Sequence, residues 1–351
     1  MNTNQRIGKS PVLFLAVLAA LGAPGILDAQ TTQPAPARER LSLDQGWLFH
    51  EGDIPFPEIK GQNASYNNAK AGVAWGAAAP IFNDSAWKTV DLPHDWAVEQ
   101  DFDPKANPNQ GYRDRGMGWY RRYFKLDPAD HGKYLEIQLD GIATHATIWV
   151  NGVLAARSFC GYTSTYVDIT PFAKFGDNVN TIAVQVDAVS QEGWWYEGAG
   201  LYRHTWLLMA NPVHITTDGV FAQPVKGTDG KWSIPVEVNL ESTGKAPANV
   251  SVESTLIGPD GKTETSAAGG ARITIDPLKG AVAKFSIPVS DPQLWSPDSP
   301  TLYTVRTVVT DSSEKLIDEV TTHCGFRTLR FDPNLGFFLN DKPLKIKGTC
   351  N

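Results

Sequence analysis

Between Val186 and Trp206 the chain reads VDAVSQEGWWYEGAGLYRHTW, where aromatic rings, carboxylates and an arginine fall within a few residues of one another. Such rings suit the apolar CH faces of sugars, while carboxylate and guanidinium groups suit their hydroxyls. Trp194 and Trp195 are therefore candidates for stacking on a sugar ring, although a β-sandwich core uses Trp as well. Asp187 runs out of phase with Ile182, Val184 and Val186, so strand parity puts it on the face opposite theirs. It is either a ligand-facing carboxylate or an ordinary exposed strand end. Arg203 is expected to clamp Glu192 or Glu197 as a structural ion pair. Asp101, Asp103 and Asp114 read as surface-loop carboxylates. No two carboxylates identify themselves as acid and nucleophile, because retaining glycosidic cleavage needs them about 5 to 5.5 Å apart and spacing in sequence does not show that.

Other chemistries find no support. The seven His include no H-E-x-x-H, and no C-x-x-C occurs. Gly198-Ala199-Gly200 lacks the later glycine of a phosphate loop, since position 203 is Arg, and no helix pattern follows. A G-x-S-x-G elbow is absent. With 31 Lys plus Arg against 38 Asp plus Glu, the chain lacks the basic footprint that nucleic-acid binding needs. Its 42% hydrophobic content argues against general disorder. Cys160, Cys324 and Cys350 read as unpaired, partly buried thiols rather than a disulfide framework.

The elements that position these residues are strands. Leu135, Ile137 and Leu139 alternate with Glu136, Gln138 and Asp140, so one face should meet a core and the other water. Ala146–Val150 is followed by Asn151-Gly152 and Val153-Leu154, a strong hairpin signal. A second block begins near Asn211-Pro212, where Trp232, Ile234, Val236, Val238 and Leu240 fall on one face and Pro235 on the other favours an edge strand. Roughly seven short strands in about 115 residues there predict an immunoglobulin-like sandwich. Phe337, Phe338 and Leu339 approach Asn340-Asp341, and Leu344, Ile346 and Gly348 read as the returning arm of a hairpin. At the other end, Arg6 and Lys9 precede the apolar run Val12–Ala23, which at about 12 residues is shorter than the roughly 20 of a membrane span. Residues 1–29 thus read as a signal peptide and 30–40 as a leader, the expectation being an exported protein, periplasmic or secreted, with no integral membrane span.

Ordered along the chain, LPHDW (Leu92–Trp96), GWYR (Gly118–Arg121), WVNG (Trp149–Gly152), GYTS (Gly161–Ser164), GAGLYR (Gly198–Arg203), LWSPD (Leu294–Asp298) with Leu302-Tyr303, GFR (Gly325–Arg327) and the closing GFFLNDKPLKIKGTCN resemble glycoside hydrolase family 2, its β-galactosidase branch most closely. The resemblance covers nearly all of residues 41–351. It implies an all-β chain: a jelly-roll, galactose-binding-like sandwich over 41–211, an immunoglobulin-like β-sandwich over 212–327, and over 328–351 the start of a truncated catalytic (β/α)8 barrel.

In such barrels the active site is built at the C-terminal ends of the strands. The family's acid/base and nucleophile, both Glu, are expected beyond residue 351, so this chain alone is expected to be inactive. The resemblance carries one substrate-binding residue onto this sequence: Asp187, matching an Asp that reaches sugar hydroxyls and sometimes a nearby sodium ion. Gly118 stands about where some members present a second, asparagine contact. The chemistry needs no cofactor; a sodium or magnesium ion is left open for the full-length enzyme, as are β-glucuronide or β-mannoside in place of β-galactoside, and homo-oligomer formation. A non-catalytic carbohydrate-binding protein or a structural β-sandwich module are the rival readings.

Overall fold

The computed structural model describes residues 37–58, 60–63, 74–262 and 264–349. The expected signal peptide and residues 30–36 of the leader lie outside them, as does Cys350. Among the described residues no helix is long and apolar enough to cross a membrane.

The first sandwich contains strands β1 (Arg38–Ser42), β2 (Trp47–Glu51), β3 (Lys88–Val90), β4 (Gly116–Phe124), β5 (Tyr134–Leu139), β6 (His145–Val150), β7 (Val153–Ser158), β8 (Thr165–Asp168), β9 (Asn180–Ala188) and β10 (Thr205–Ala210). They form a sheet of order β1-β10-β5-β8 and a larger one of order β3-β2-β4-β9-β6-β7. Alternation explains the layer between them. Leu135, Ile137 and Leu139 from the first sheet share one core with Ile182, Val184 and Val186 from the second. Each such fully buried side chain is worth about 1.5–3 kcal/mol. The Asn-Gly hairpin forms as expected, with Asn151 and Gly152 both at positive φ between β6 and β7. Beyond β9, the outer face of the larger sheet is roofed by the stacked rings of Trp119 and Trp149, centroids 5.6 Å apart.

The second sandwich follows as β11 (Val213–Ala222), β12 (Val225–Lys226), β13 (Trp232–Ser242), β14 (Ala248–Ile257), β15 (Glu264–Ile275), β16 (Gly280–Val289), β17 (Tyr303–Asp311) and β18 (Leu316–Cys324). Sheet β15-β14-β17-β18 packs on a sheet in which β13 pairs with β11 and β12 on one side and with β16 on the other. The edge position expected from Pro235 is therefore wrong. The proline fits a central strand because its neighbours on one side are interrupted: Val236 pairs with Ala222 and Ser233 with Val225, leaving Pro235 in the gap where no amide donor is needed.

A three-stranded unit closes the described chain: β19 (Leu329–Asp332), β20 (Gly336–Leu339) and β21 (Lys342–Pro343). The turn at Asn340-Asp341 has both residues at positive φ. The returning arm is shorter than expected, since strand pairing stops at Pro343, and β19 pairs on the other side of β20. No closed barrel is present among the described residues.

Two further expectations change where the sandwiches meet. Strand β1 begins at Arg38, inside the stretch read as a leader, because its backbone pairs with β10 and its first side chain reaches the second sandwich. Arg38 holds Asp318 through Nε at 3.0 Å and Nη2 at 2.6 Å, and the same carboxylate accepts the Ile215 amide at 2.8 Å. The polar face of β5 does not meet water either. Glu136 and Gln138 are buried under β11, the Glu136 carboxylate accepting hydrogen bonds from Tyr134, Gln138 and Thr217. Beside them the Tyr134 and His214 rings stack at 4.0 Å.

Two outcomes follow from this interface. Asp318 is fully buried, so Arg38→Met leaves its charge without its main partner and should cost about 3–5 kcal/mol in urea unfolding at neutral pH. His214 is held below the ordinary histidine range, first of all because burial removes its hydration. The unfolded chain then takes up a proton that the folded chain refuses, so stability is complete above about pH 6.5 and drains as pH falls through the lower folded value. His214→Phe keeps the ring stack and should flatten that acid limb in thermal melts recorded across it.

Candidate functional site

Asp187 sits one residue before the end of β9, on the sheet face that carries its cross-strand partners Met117 of β4 and His145 of β6. The parity expected from sequence holds in space, since Val184 and Val186 are fully buried on the other face. Its Oδ1 accepts the Val189 amide at 3.0 Å and so turns the chain out of the sheet. Oδ2 makes no hydrogen bond among the described residues.

The loop that follows carries the aromatic residues. Trp194 is 86% exposed and Trp195 58% exposed, which decides against the packing reading of this pair. Trp195 donates its indole N–H to the Tyr162 hydroxyl at 2.9 Å, joining the loop to the Gly161–Ser164 turn. A Cβ at Gly193 would lie 2.6 Å from the Trp195 ring, so a side chain there would displace the indole. His145 Nε2 and Glu192 Oε1 are 2.6 Å apart at the foot of the loop. Cys160, close by, is exposed rather than partly buried, and hydrogen bonds from the Tyr162 amide and then Thr163 draw its thiol below the ordinary range.

What holds these exposed rings is underneath them. Glu197 meets Arg115 at 3.0 Å, with only 3% and 5% of the two side chains exposed. Gln110 Nε2 donates to the Glu197 carboxylate at 3.1 Å while Gln110 Oε1 accepts the Glu197 amide at 3.0 Å. The Glu192 amide also donates to that carboxylate, and Arg115 Nη2 donates to the Ser190 carbonyl. The ion pair expected at Arg203 is thus made by Arg115 instead. Arg203 is exposed and turned to the Asp140 carbonyl, and Glu192 pairs with His145. Arg115 lies 82 residues before its partner, so local spacing carried no sign of it.

The GAGLYR segment is fixed against LPHDW. Asp95 Oδ1 accepts the Ala97 and Ala199 amides at 3.0 Å, and its Oδ2 accepts the Tyr196 hydroxyl at 2.9 Å. Trp96 and His94 donate their amides to Ala199 and Leu201. Gly200, at φ +121°, allows this close approach, since a Cβ there would strike the Tyr120 hydroxyl and lie 2.6 Å from the His94 carbonyl. Gly118 is explained by packing too: a Cβ would come within 2.9 Å of the Trp96 ring.

Residues 90–206 match the family model described as a glycosyl hydrolase 2 galactose-binding domain-like unit, and residues 213–327 match that of glycosyl hydrolases family 2. The chain belongs to glycosyl hydrolase family 2. It is 35% identical over 320 residues to Beta-galactosidase BoGH2A of Bacteroides ovatus, covering 89% of this chain and 34% of that protein. Among solved structures, a family 2 member from Bacteroides cellulosilyticus superposes with a TM-score of 0.75 at 33% identity, over 89% of this chain and 38% of its own. A Bacteroides uniformis β-glucuronidase superposes with a TM-score of 0.76 at 28% identity, over 89% of this chain and 35% of its own. The chain thus spans little more than a third of the length of these family 2 relatives.

In this family 2 chain the site brings together exposed rings, one carboxylate on the outer sheet face and a His–Glu pair. Among the described residues there is no group of three or more His, Cys, Asp or Glu placed to hold a metal ion.

The buried pair yields a direct test. Glu197→Gln leaves the Arg115 charge uncompensated and should destabilise the chain by about 3–5 kcal/mol. It should also free the loop, raising proteolytic cleavage between Val189 and Tyr196 under native conditions, whereas Arg203→Gln should change neither.

Proposed function

We propose that these two sandwiches are the substrate-side scaffold of an exported β-galactosidase-type glycosidase, in which Asp187 binds hydroxyls of the sugar and the Trp194-Trp195 loop forms the rim of its pocket. The observation that carries this reading is the combination of an outward carboxylate with exposed indoles held over a buried ion pair. Exposing large rings forfeits burial energy, which a ligand face recovers on binding. The similarity to a β-galactosidase supports the substrate class. So does charge: the Asp187 carboxylate disfavours a uronate and suits a neutral galactoside.

The reaction in this proposal is hydrolysis of a terminal β-glycosidic bond with retention. One Glu attacks the anomeric carbon, and a second protonates the leaving oxygen and then activates water. Both belong to the catalytic barrel and not to the described residues. Within this chain, Asp187 accepts hydrogen bonds from sugar hydroxyls, which restricts how the ring can sit, and the indole rim excludes water from its apolar face.

The 351-residue chain should therefore bind methyl β-galactoside in the millimolar range and release no dye from a nitrophenyl β-galactoside. Asp187→Ala should weaken binding about tenfold, the worth of a hydrogen bond to a charged group. Dye release by the chain itself would overturn the placement of the catalytic carboxylates. A stronger affinity for methyl β-glucuronide than for the galactoside would overturn the substrate class.

A further inference from the structure

Strand parity sets up the joint between the two sandwiches. Ile215 points into the second core, so its neighbour His214 is turned outward; Leu135 points into the first core, so Tyr134 is turned outward as well. The two rings meet at 4.0 Å and 19°, both buried. Around this stack the contacts are polar. Thr217 donates to Glu136, Arg38 reaches Asp318, and Asn211 Nδ2 in the linker donates to the Ile317 carbonyl at 2.6 Å. At the rim the Tyr166 hydroxyl donates to Asp218 at 2.8 Å.

Among the described residues no apolar core crosses this joint. The core of the first sandwich takes in no residue beyond Met209, and that of the second begins at Val213. Tyr134, Leu208 and Ala210 form a small cluster of their own, joined to neither. Burying a large aliphatic side chain outweighs one net hydrogen bond, and domain interfaces built without much apolar area leave their domains free to move. Each sandwich is therefore held together more firmly than the two are held to each other.

A proton on His214 works against the closed joint. The charged and titratable groups around the stack are Arg38 of β1, Tyr134 and Glu136 of β5, Asp168 of β8, Glu241 of β13 and Asp318 of β18. Asp318 and Glu241 favour an imidazolium, but Asp318 is already engaged by Arg38, and the loss of hydration outweighs both, so the ring is held neutral. Behind it lies its own strand, paired with Glu241 of β13. An imidazolium thus regains water only by lifting off Tyr134. We infer that the joint is an acid-operated release, in which protonated His214 parts the two sandwiches while each stays folded. Asp187 and the Trp194-Trp195 loop belong to the first sandwich, so release moves them relative to the second sandwich and the terminal hairpin. The inference goes beyond the proposed function and does not rest on the role given to Asp187.

Small-angle scattering, far-UV circular dichroism and hydrogen exchange on the 351-residue chain, from about pH 7.5 to about pH 5, test it. Below about pH 6.5 the radius of gyration should rise and exchange protection of residues 211–217 should fall by about tenfold for each unit of pH, one proton's worth. The dichroism and the protection of residues 182–186 and 234–240, in the two cores, should hold over the same range. His214→Phe keeps a ring on Tyr134 and takes no proton, so it should stay closed throughout. His214→Gln gives up the stack and takes no proton either, so it should show no step with pH. Scattering and dichroism that change together overturn a separate release, as does a radius that stays constant in the wild type. A step at the wild-type pH in either variant overturns His214 as the trigger and assigns it to the carboxylates. None of these readouts involves sugar binding, so the proposed function stands or falls apart from them.

Discussion

A carboxylate and a guanidinium taken out of water together lose hydration that their mutual attraction repays only when every remaining donor and acceptor is satisfied. The Arg115–Glu197 pair meets that condition through Gln110, the Glu192 amide and the Ser190 carbonyl. Its consequence is mechanical. A loop with two exposed tryptophans has little burial of its own to hold it, so its position comes from the ion pair below and from Asp95, which ties Tyr196 and Ala199 to the LPHDW turn. With that foundation the rings can stand exposed without the loop collapsing onto the sheet.

The same economy of paired charge joins the two sandwiches. Arg38 from the first strand reaches across to Asp318 in the eighteenth, and Glu136 and Gln138 are roofed by Thr217. A hydrophobic seam would have tolerated sliding; directional hydrogen bonds to buried charges do not. At the far end of the second sandwich, Asn340 accepts the Thr328 amide and donates to the Trp295 carbonyl, so the terminal hairpin is tied to the LWSPD and GFR turns. The first sandwich and the hairpin beyond the second are thereby linked through a series of fixed joints.

Much of this was legible residue by residue. Period-two alternation placed Ile182, Val184 and Val186 in the core and Asp187 opposite them, because parity along a strand follows from covalent geometry. Asn-Gly announced its hairpin, since a tight turn needs positive φ at both positions. Where alternation was read as core against water, it failed: Glu136 and Gln138 are buried, and a polar face looks the same in sequence whether water or another domain will satisfy it. Pro235 misled for a related reason, as the gap between β11 and β12 that accommodates it belongs to other parts of the chain.

The amino-acid order alone determined which stretches are strands, where turns fall and which family the motifs resemble, because those properties depend on neighbours a few residues apart. Which guanidinium meets Glu197, and whether Trp194 and Trp195 face inward or out, were decided only by the tertiary structure. These depend on strand order and on partners up to 104 residues away, and the energy that selects among them, burial of paired charge against loss of hydration, exists only once the sheets have closed.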